Sequence, residues 1–476
     1  MSKNNSAIKA GLGYTVGNIL VKGISFLSLP LFSRLMTTSE FGVFNVFISY
    51  ESILTIIVGM GMHMSVQSAN LEFKGEIDRY VSNVSITYIL NAIVLSLVVL
   101  VFGRQLESLM HYSPLALECL ILYSLGTAVI TLFNLRVSLD YEYKKYLLAS
   151  AASSIGSVLF SLILILTLFR SHRDIGRIYA TSFVYFIIGV VLLITFFRKS
   201  RPNIDKEHLS FAFKYSLPFV PHGISQVLLA QVDRIMIRSY VGDAAAGIYS
   251  LAGNVRLVMT IIETSVMTAW RTWFFKTMET EDTKRIQRTA TILTAGYAIL
   301  VTGVMAFARE IILVIGDKGY ESARFVVTPM VADAFMLFIY GIVVQGEAYR
   351  KKTNYIMIGT LIATAINLVT NYIFIRLYGF IAAAYTTLFS YVVYLVLHVI
   401  VSRRVTGFYI LPLKAMLTLI GVVTVSFVLN TLLMDIWWLR IPIGLMFPAG
   451  LLVYLLKQPE TANLLASKIK RFSRRG

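Results

Sequence analysis

Hydrophobic residues follow one another along this chain in long runs of about 20, separated by short polar stretches. Each run has the length that an α-helix needs to cross the hydrocarbon core of a bilayer. Because that core offers no water to backbone polar groups, runs of this kind must form helices that pack together. The pattern therefore predicts an all-α polytopic membrane protein.

The runs divide into about fourteen predicted transmembrane helices. They cover residues 11–34, 41–65, 82–103, 115–138, 147–169, 176–197, 215–240, 245–270, 289–315, 325–347, 355–376, 380–402, 415–433 and 440–456. The longest connections predicted as loops are RKSRPNIDKEHLSFAFK and RTWFFKTMETEDTKRIQR. An even number of spans places both termini on the same side of the membrane.

A repeat in the pattern predicts the domain organisation. EFGVFNVFISYE (40–51) aligns without a gap with AAGIYSLAGNVR (245–256), so that Gly42 falls on Gly247. Two sets of six spans have the same orientation and are expected to be related by an axis along the membrane normal. We predict an N-terminal six-helix lobe at 1–200, a C-terminal six-helix lobe at 201–402, and two additional helices with a basic tail at 403–476.

Composition supports a membrane protein and sets the orientation. The chain is 57% hydrophobic and 14% charged, with a mean hydropathy of +0.73. Its net charge of +18 does not indicate nucleic acid, because most Lys and Arg residues fall on the side of the N-terminus, as the positive-inside rule requires. We expect cytoplasmic termini, no nucleic-acid partner, and a tail, LLASKIKRFSRRG, that contacts anionic membrane lipids.

Three charged residues lie near the middle of predicted spans. They are Lys22, Glu51 and Arg256, and each costs about 2.5–3.5 kcal/mol to insert. They are therefore expected to face one another or a water-filled cavity. Glu51 and Arg256 occupy equivalent positions of the repeat with opposite charge. Arg256 could bind an anionic ligand or simply pair with Glu51, and the sequence leaves both open.

Further polar residues extend this candidate cavity. Glu263 lies seven residues after Arg256, two helical turns along the same face. His222, Gln226 and Asp233 are spaced by four and seven residues in the span 215–240. The predicted cavity or substrate set is Lys22, Glu51, His222, Gln226, Asn254 and Arg256, and the residues predicted to couple transport to an ion are Glu51, Asp233 and Glu263.

Motifs for enzymatic chemistry are missing from the sequence. It has no GxxxxGK[ST] phosphate-binding loop, no HExxH zinc motif, and a single cysteine, Cys119. We therefore expect no cofactor, no metal site and no catalytic residue. Transport driven by ATP hydrolysis within this chain is excluded.

Two stretches of the chain resemble a known family. The first is SLPLFSRLMTTSEFGVFNVF, and the second is SLPFVPHGISQVLLAQVDRIMIRSYVGDAAAGIYSLA, with its LPxxPHG, DRI and GIYSLA segments. They are similar to the Wzx polysaccharide flippases of the multidrug/oligosaccharidyl-lipid/polysaccharide exporter superfamily. The resemblance implies two six-helix lobes in a V around a central cavity, with two extra C-terminal helices.

The resemblance also implies a function. It indicates that the chain moves an undecaprenyl-pyrophosphate-linked oligosaccharide across the bacterial inner membrane by alternating access, coupled to a proton or sodium gradient. The product would be O-antigen, capsule or exopolysaccharide, with a glycan polymerase and glycosyltransferases as partners. Unlike the strongly cationic lipid II flippases, the predicted cavity has few cations and several acids.

Two other functions compete with this interpretation. A drug/cation antiporter of the same superfamily would favour an acidic, aromatic cavity without a mid-span arginine, so Arg256 speaks against it. A membrane enzyme of glycan assembly would need a large external loop that carries catalytic residues, and the predicted external connections are short.

Overall fold

A computed structural model describes residues 26–457 together with Gly13, Gly17, Gly23 and Ile24. The predicted cavity residue Lys22 and the basic tail lie outside the described residues. In the part of the chain that is described, the regular elements are α-helices and short 3₁₀ helices, with no strand. The predicted all-α polytopic fold is confirmed.

The helices agree with the predicted spans. Among the described residues, 12 helices are long and apolar enough to cross a membrane. Two more predicted spans contain a described helix: Phe26–Leu35 at the end of the span 11–34, and Val220–Tyr240 within the span 215–240. The second falls outside the twelve because polar side chains lower its hydropathy.

We number the helices in chain order. They are α1 Phe26–Leu35, α2 Thr38–Gly59, α3 Val66–Glu72, α4 Ile77–Met110, α5 Pro114–Leu139, α6 Tyr143–Leu166, α7 Arg173–Lys199, α8 Lys206–Ser216, α9 Val220–Tyr240, α10 Asp243–Met278, α11 Thr283–Ala306, α12 Ala308–Ile315, α13 Arg324–Val343, α14 Gln345–Tyr349, α15 Thr353–Tyr378, α16 Phe380–Thr406, α17 Leu413–Leu432 and α18 Trp437–Leu456.

The two longest predicted loops are mostly helical in the structure. α10 runs on to Met278 and α11 begins at Thr283, so a four-residue turn, 279–282, replaces the predicted loop after the eighth span. The loop after the sixth span contains α8. A hydropathy pattern marks only the apolar part of a helix, and these helices continue into polar sequence. At about 1.5 Å per residue, α10 is much longer than the hydrocarbon is thick.

The chain divides into two compact units, residues 1–247 and 248–476. In the first unit, α5 is the central helix and packs against α2, α4, α6 and α7. Arg177 of α7 is buried there between two aromatic rings, with its guanidinium carbon 3.7 Å from the ring centroid of Phe32 and 3.9 Å from that of Phe44. These cation–π contacts tie α7 to α1 and α2.

The first unit also brings the repeat-equivalent glycines into contact. A Cβ atom on Gly42 would overlap the backbone of Asp243 and Gly247, and a Cβ atom on Gly247 would overlap the backbone of Thr38 and Gly42. The repeat that places Gly42 on Gly247 also places Thr38 on Asp243. The contact is therefore reciprocal between equivalent positions, and it requires a residue without a side chain at both.

In the second unit, α13 is the most buried of the long helices and packs against α11, α16 and α17. α15 packs along α16, and α11 packs against both C-terminal helices, α17 and α18. Arg440 of α18 is fully buried and donates a hydrogen bond to Glu310 of α12, with a further contact of 3.3 Å to Met434 Sδ. An ion pair therefore connects α18 to α12.

We expect Glu310→Gln to lower the thermal stability of the purified protein. The substitution leaves the guanidinium of Arg440 buried without a counter-charge, and breaking a buried pair in this way costs about 3–5 kcal/mol. The double variant Arg440→Met/Glu310→Gln should recover most of the loss, because it removes both charges. Thermal unfolding in detergent measures both, and a single variant that unfolds like the wild type would contradict the role of the pair.

Candidate functional site

The mid-span arginine of the second unit is held by an acid on a neighbouring helix. Arg256 Nε of α10 donates to Asp333 Oδ1 of α13 at 2.5 Å. The side chain of Asp333 is 2% exposed and that of Arg256 is 19% exposed. A charged side chain inside the membrane needs a counter-charge that also accepts its hydrogen bond. The ion-pair partner of Arg256 in this unit is therefore Asp333.

Aromatic and acidic groups complete the cluster around Arg256. The guanidinium carbon lies 5.4 Å from the ring centroid of Tyr391 on α16. Glu263, two turns further along α10, is buried and interacts electrostatically with Arg256 and Asp333. The hydroxyl of Tyr297 donates to the Met259 carbonyl at 3.2 Å, near the same charges. We call Arg256, Glu263, Tyr297, Asp333 and Tyr391 the Arg256 cluster.

Two polar atoms of the Arg256 cluster are left unbonded. Within the described residues, neither Nη2 of Arg256 nor Oε2 of Glu263 has a hydrogen-bond partner, although both atoms are buried. A buried polar group without a partner costs about 1–3 kcal/mol, and more when it is charged. The cluster therefore retains capacity for one hydrogen-bond acceptor at the arginine and one donor or proton at the acid.

Asn254 forms its hydrogen bond within its own helix. It is half-buried, and its side-chain amide donates to the Ser250 carbonyl of its own helix at 3.0 Å. Such a bond to the preceding turn satisfies the amide locally. Asn254 thus lies two residues before Arg256 without a described contact to the rest of the cluster.

The predicted residue Glu51 lies in the first unit and is 5% exposed. It accepts a hydrogen bond of 2.8 Å from Thr55 Oγ1, one turn along α2, and lies beside Thr127 of α5. The paired rings of Tyr123 and Tyr185, 4.7 Å apart between centroids, are close enough to interact with its charge. Among the described residues of this unit, no cation forms an ion pair with Glu51.

The three predicted residues of α9 differ in exposure. His222 is half-buried, with its Nδ1 unbonded among the described residues, whereas Gln226 is exposed. Asp233, near the other end of the helix, is 4% exposed. α9 packs against α2. One side of α9 is therefore accessible near His222 and covered near Asp233.

Asp333 was not selected as a site residue from the sequence. It is the one acid in the apolar run VVTPMVADAFMLFIYG, and the depth argument that selected Arg256 applies to it equally. Across the described residues, no group of three or more His, Cys, Asp or Glu side chains could hold a metal ion. The charged groups that the site offers are the guanidinium of Arg256 and the carboxylates of Glu263 and Asp333.

Solved structures of transporters share this fold. The lipid II flippase MurJ in an inward closed conformation superposes with a TM-score of 0.75 at 13% identity, covering 93% of this chain and 98% of that one. An inward-facing multidrug resistance MATE family transporter of the MOP superfamily gives 0.60 at 13% identity, covering 84% of this chain and 98% of that one. The fold is thus that of the flippases and exporters of this superfamily.

The sequence also identifies the family. The family described as "Polysaccharide biosynthesis protein" matches residues 8–278, more than half of the chain, and the protein belongs to that family. Among curated proteins, the probable low-salt glycan biosynthesis flippase Agl15 of Haloferax volcanii is 22% identical over 473 residues, covering 94% of this chain and 96% of that protein. The family resemblance seen in the sequence is confirmed.

Proposed function

We propose that this protein is a flippase that moves undecaprenyl-pyrophosphate-linked oligosaccharides from the cytoplasmic to the external leaflet. The observation that carries the proposal is Arg256, a half-buried mid-span arginine whose buried Nη2 is unbonded among the described residues. It lies in a chain of the polysaccharide biosynthesis family with a flippase fold. A planar guanidinium can bind two phosphate oxygens at once, which suits it to a pyrophosphate.

The acids beside Arg256 suggest how the cargo is released. With Asp333 and Glu263 ionised, the three charged residues of the Arg256 cluster sum to a net negative charge, which repels a pyrophosphate. Protonation of Glu263 removes that excess and leaves Arg256 available to the cargo. Loss of the proton restores the repulsion. Only the sugar-phosphate head needs to pass this point, since the polyprenyl tail can stay in the lipid.

Coupling to an ion gradient extends the proposal. Glu51, Asp233 and Glu263 are buried acids inside apolar helices, which makes each a candidate to exchange a proton or a sodium ion. Lys22, His222, Gln226 and Asn254 would line the path of the head group. Alternating access would open the path to one side of the membrane at a time.

The remaining predictions from sequence belong to the same proposal. They are the two six-helix lobes at 1–200 and 201–402, the C-terminal segment at 403–476, cytoplasmic termini in the bacterial inner membrane, and use of the product by glycosyltransferases and a polymerase for O-antigen, capsule or exopolysaccharide. The twelve candidate spans found among the described residues support a multi-pass location.

Deletion of the gene is expected to abolish the surface polysaccharide and to accumulate lipid-linked repeat units on the cytoplasmic side. A plasmid copy should restore the polysaccharide, because transport is the step that is missing. Surface glycan staining and mass spectrometry of extracted lipid-linked sugars measure the two effects. Normal glycan in a deletion strain that lacks any second flippase would refute the proposal.

The acidic balance of the Arg256 cluster favours one other function, a drug/cation antiporter. Two acids and one base would attract an organic cation, and the MATE transporters share the fold. This alternative predicts that the deletion strain becomes sensitive to cationic drugs and keeps its surface glycan. The deletion experiment therefore separates the two functions.

A further inference from the structure

A second buried charge pair lies in the unit 248–476, apart from the Arg256 cluster. Glu347 of α14 and His398 of α16 are 0% and 1% exposed, and His398 Nδ1 lies 2.8 Å from Glu347 Oε1. The contact is a hydrogen bond between an imidazole and a carboxylate. Neither residue was selected from the sequence, because both lie near the ends of predicted spans, where charges usually reach the interface.

The two outer atoms of the pair have no partner. Glu347 Oε2 and His398 Nε2 are both buried and lack a hydrogen bond among the described residues. On the Nε2 side lies Gly359 of α15, and a Cβ atom on this glycine would overlap Nε2. The glycine therefore lets the backbone of α15 pack directly against the atom where the imidazole would take up a second proton.

The side chains around the pair are aromatic and hydroxyl groups. The rings of Tyr340 on α13 and Tyr394 on α16 lie 4.9 and 4.7 Å from the His398 ring, between centroids. Tyr394 shares a hydrogen bond of 2.9 Å with Thr360 of α15. The two rings therefore enclose the imidazole in near-perpendicular contacts.

The charged neighbour on α10 does not neutralise the pair directly. Arg271 Nε donates to Gln345 Oε1 at 3.3 Å, and its charge also acts on Tyr340. In the described part of this unit, the ionic contact of Glu347 is with His398. The titratable and charged groups that face the pair are thus Tyr340 and Tyr394, with Arg271 behind Gln345.

We propose that Glu347 and His398 form a proton-binding site and that its proton couples the transport cycle to the proton gradient. The coupling part rests on the proposed function. With Nδ1–H donated to Glu347, a neutral imidazole leaves the pair with one negative charge. A proton taken from hydronium by the Nε2 lone pair forms an N–H bond, releases water and makes the pair electrically neutral.

Burial explains why such a proton would be tied to a conformational change. A single uncompensated charge in an apolar interior is costly, whereas in the protonated pair the attraction between imidazolium and carboxylate offsets part of the desolvation cost. The fully enclosed pair therefore holds its proton, and a state of the protein that admits water beside Gly359 lets it go. Each cycle through the two states would carry one proton at this site.

The test uses the full-length protein in lipid nanodiscs, labelled with ¹⁵N at its six histidines. We expect the ring signal that disappears in His398→Gln to change with pH, because binding of a proton at Nε2 changes the ring nitrogen shifts. Glu347→Gln, which preserves the size and can still accept the Nδ1–H bond, should change that pH dependence, because it removes the charge that the bound proton neutralises. Thermal unfolding confirms that each variant is folded.

A second contact between a histidine and a glutamate provides the matched control. His208 of α8 is 2% exposed, and its Nε2 lies 3.9 Å from Glu76 Oε2. Glu76→Gln should leave the His398 titration unchanged. A His398 ring that does not titrate, or one that Glu347→Gln leaves unchanged, would overturn the proton site.

Glycan export by the same variants tests the coupling. Loss of rescue by folded Glu347→Gln and His398→Gln, with Glu76→Gln active, supports it, and full rescue by both would refute it. A wild-type protein that cannot rescue the deletion strain would instead refute the proposed function, and the histidine titration would still decide whether the pair binds a proton.

Discussion

Arg256→Gln is expected to abolish rescue of surface glycan in the deletion strain. The substitution removes the guanidinium that we propose binds the pyrophosphate, and a hydrogen bond to a charged group contributes about 1.5–3 kcal/mol, equivalent to a tenfold to hundredfold loss of binding. It also removes the positive charge that is paired with Asp333, whose side chain is 2% exposed. Loss of transport and loss of stability would therefore appear together, and they have to be separated.

The double variant Arg256→Gln/Asp333→Asn separates them. The single substitution breaks a buried ion pair and should lower the free energy of unfolding by about 3–5 kcal/mol, whereas removal of both charges is often neutral. If Arg256 binds the cargo, the double variant regains its membrane level and thermal stability but not transport. If the pair is only structural, transport returns with stability.

Arg256→Lys adds a test of geometry. Lysine keeps the positive charge but loses the planar fork that binds two oxygens at once. We expect a stable protein with reduced rescue, intermediate between the wild type and the double variant. Full activity with lysine would show that a point charge suffices and would contradict bidentate binding of a phosphate.

Gly42→Ala is expected to destabilise the protein although it adds a single methyl group. The new Cβ would overlap the carbonyl oxygen of Asp243, a backbone atom that cannot rotate away. Overpacking of this kind costs about 1–3 kcal/mol. Gly247→Ala should have the same effect, because its Cβ would overlap the Thr38 carbonyl. Thermal unfolding and membrane levels of the two variants measure the loss.

A glycine in open surroundings is the control for this prediction. A Cβ on Gly303, in the last turn of α11, would meet nothing within 4 Å. Gly303→Ala should therefore be neutral or stabilising by up to about 1 kcal/mol, the usual preference of a helix for alanine. Equal stability of Gly42→Ala and Gly303→Ala would show that the close contact of α2 with the start of α10 is not needed.

The hydropathy pattern predicted the helices well, because each span must satisfy its backbone internally and carry an apolar surface to lipid. It predicted their ends poorly. α10 continues to Met278 through a polar segment, and α8 forms within a predicted loop. Where a helix leaves the apolar region, tertiary packing and local capping decide how far it extends, as the cap of Asp282 on Arg285 does at the start of α11.

The candidate site was only partly predictable. Depth in a span selected Arg256, Glu51 and Glu263, because a buried charge is costly wherever it lies in the bilayer. Depth could not show that the acid bound to Arg256 is Asp333, 77 residues further along the chain. Nor could it select Glu347 and His398, which lie near span ends and are nonetheless fully buried.

The sequence by itself determined that this is a multi-helix membrane protein, since a backbone inside lipid can satisfy its hydrogen bonds only within helices here. The sequence also determined its membership of the polysaccharide biosynthesis family. The tertiary structure decided which charges meet. An ion pair depends on atoms within about 4 Å of each other, and that proximity is set by how helices distant in sequence pack. Arg256 pairs with Asp333, and Glu347 with His398, for that reason.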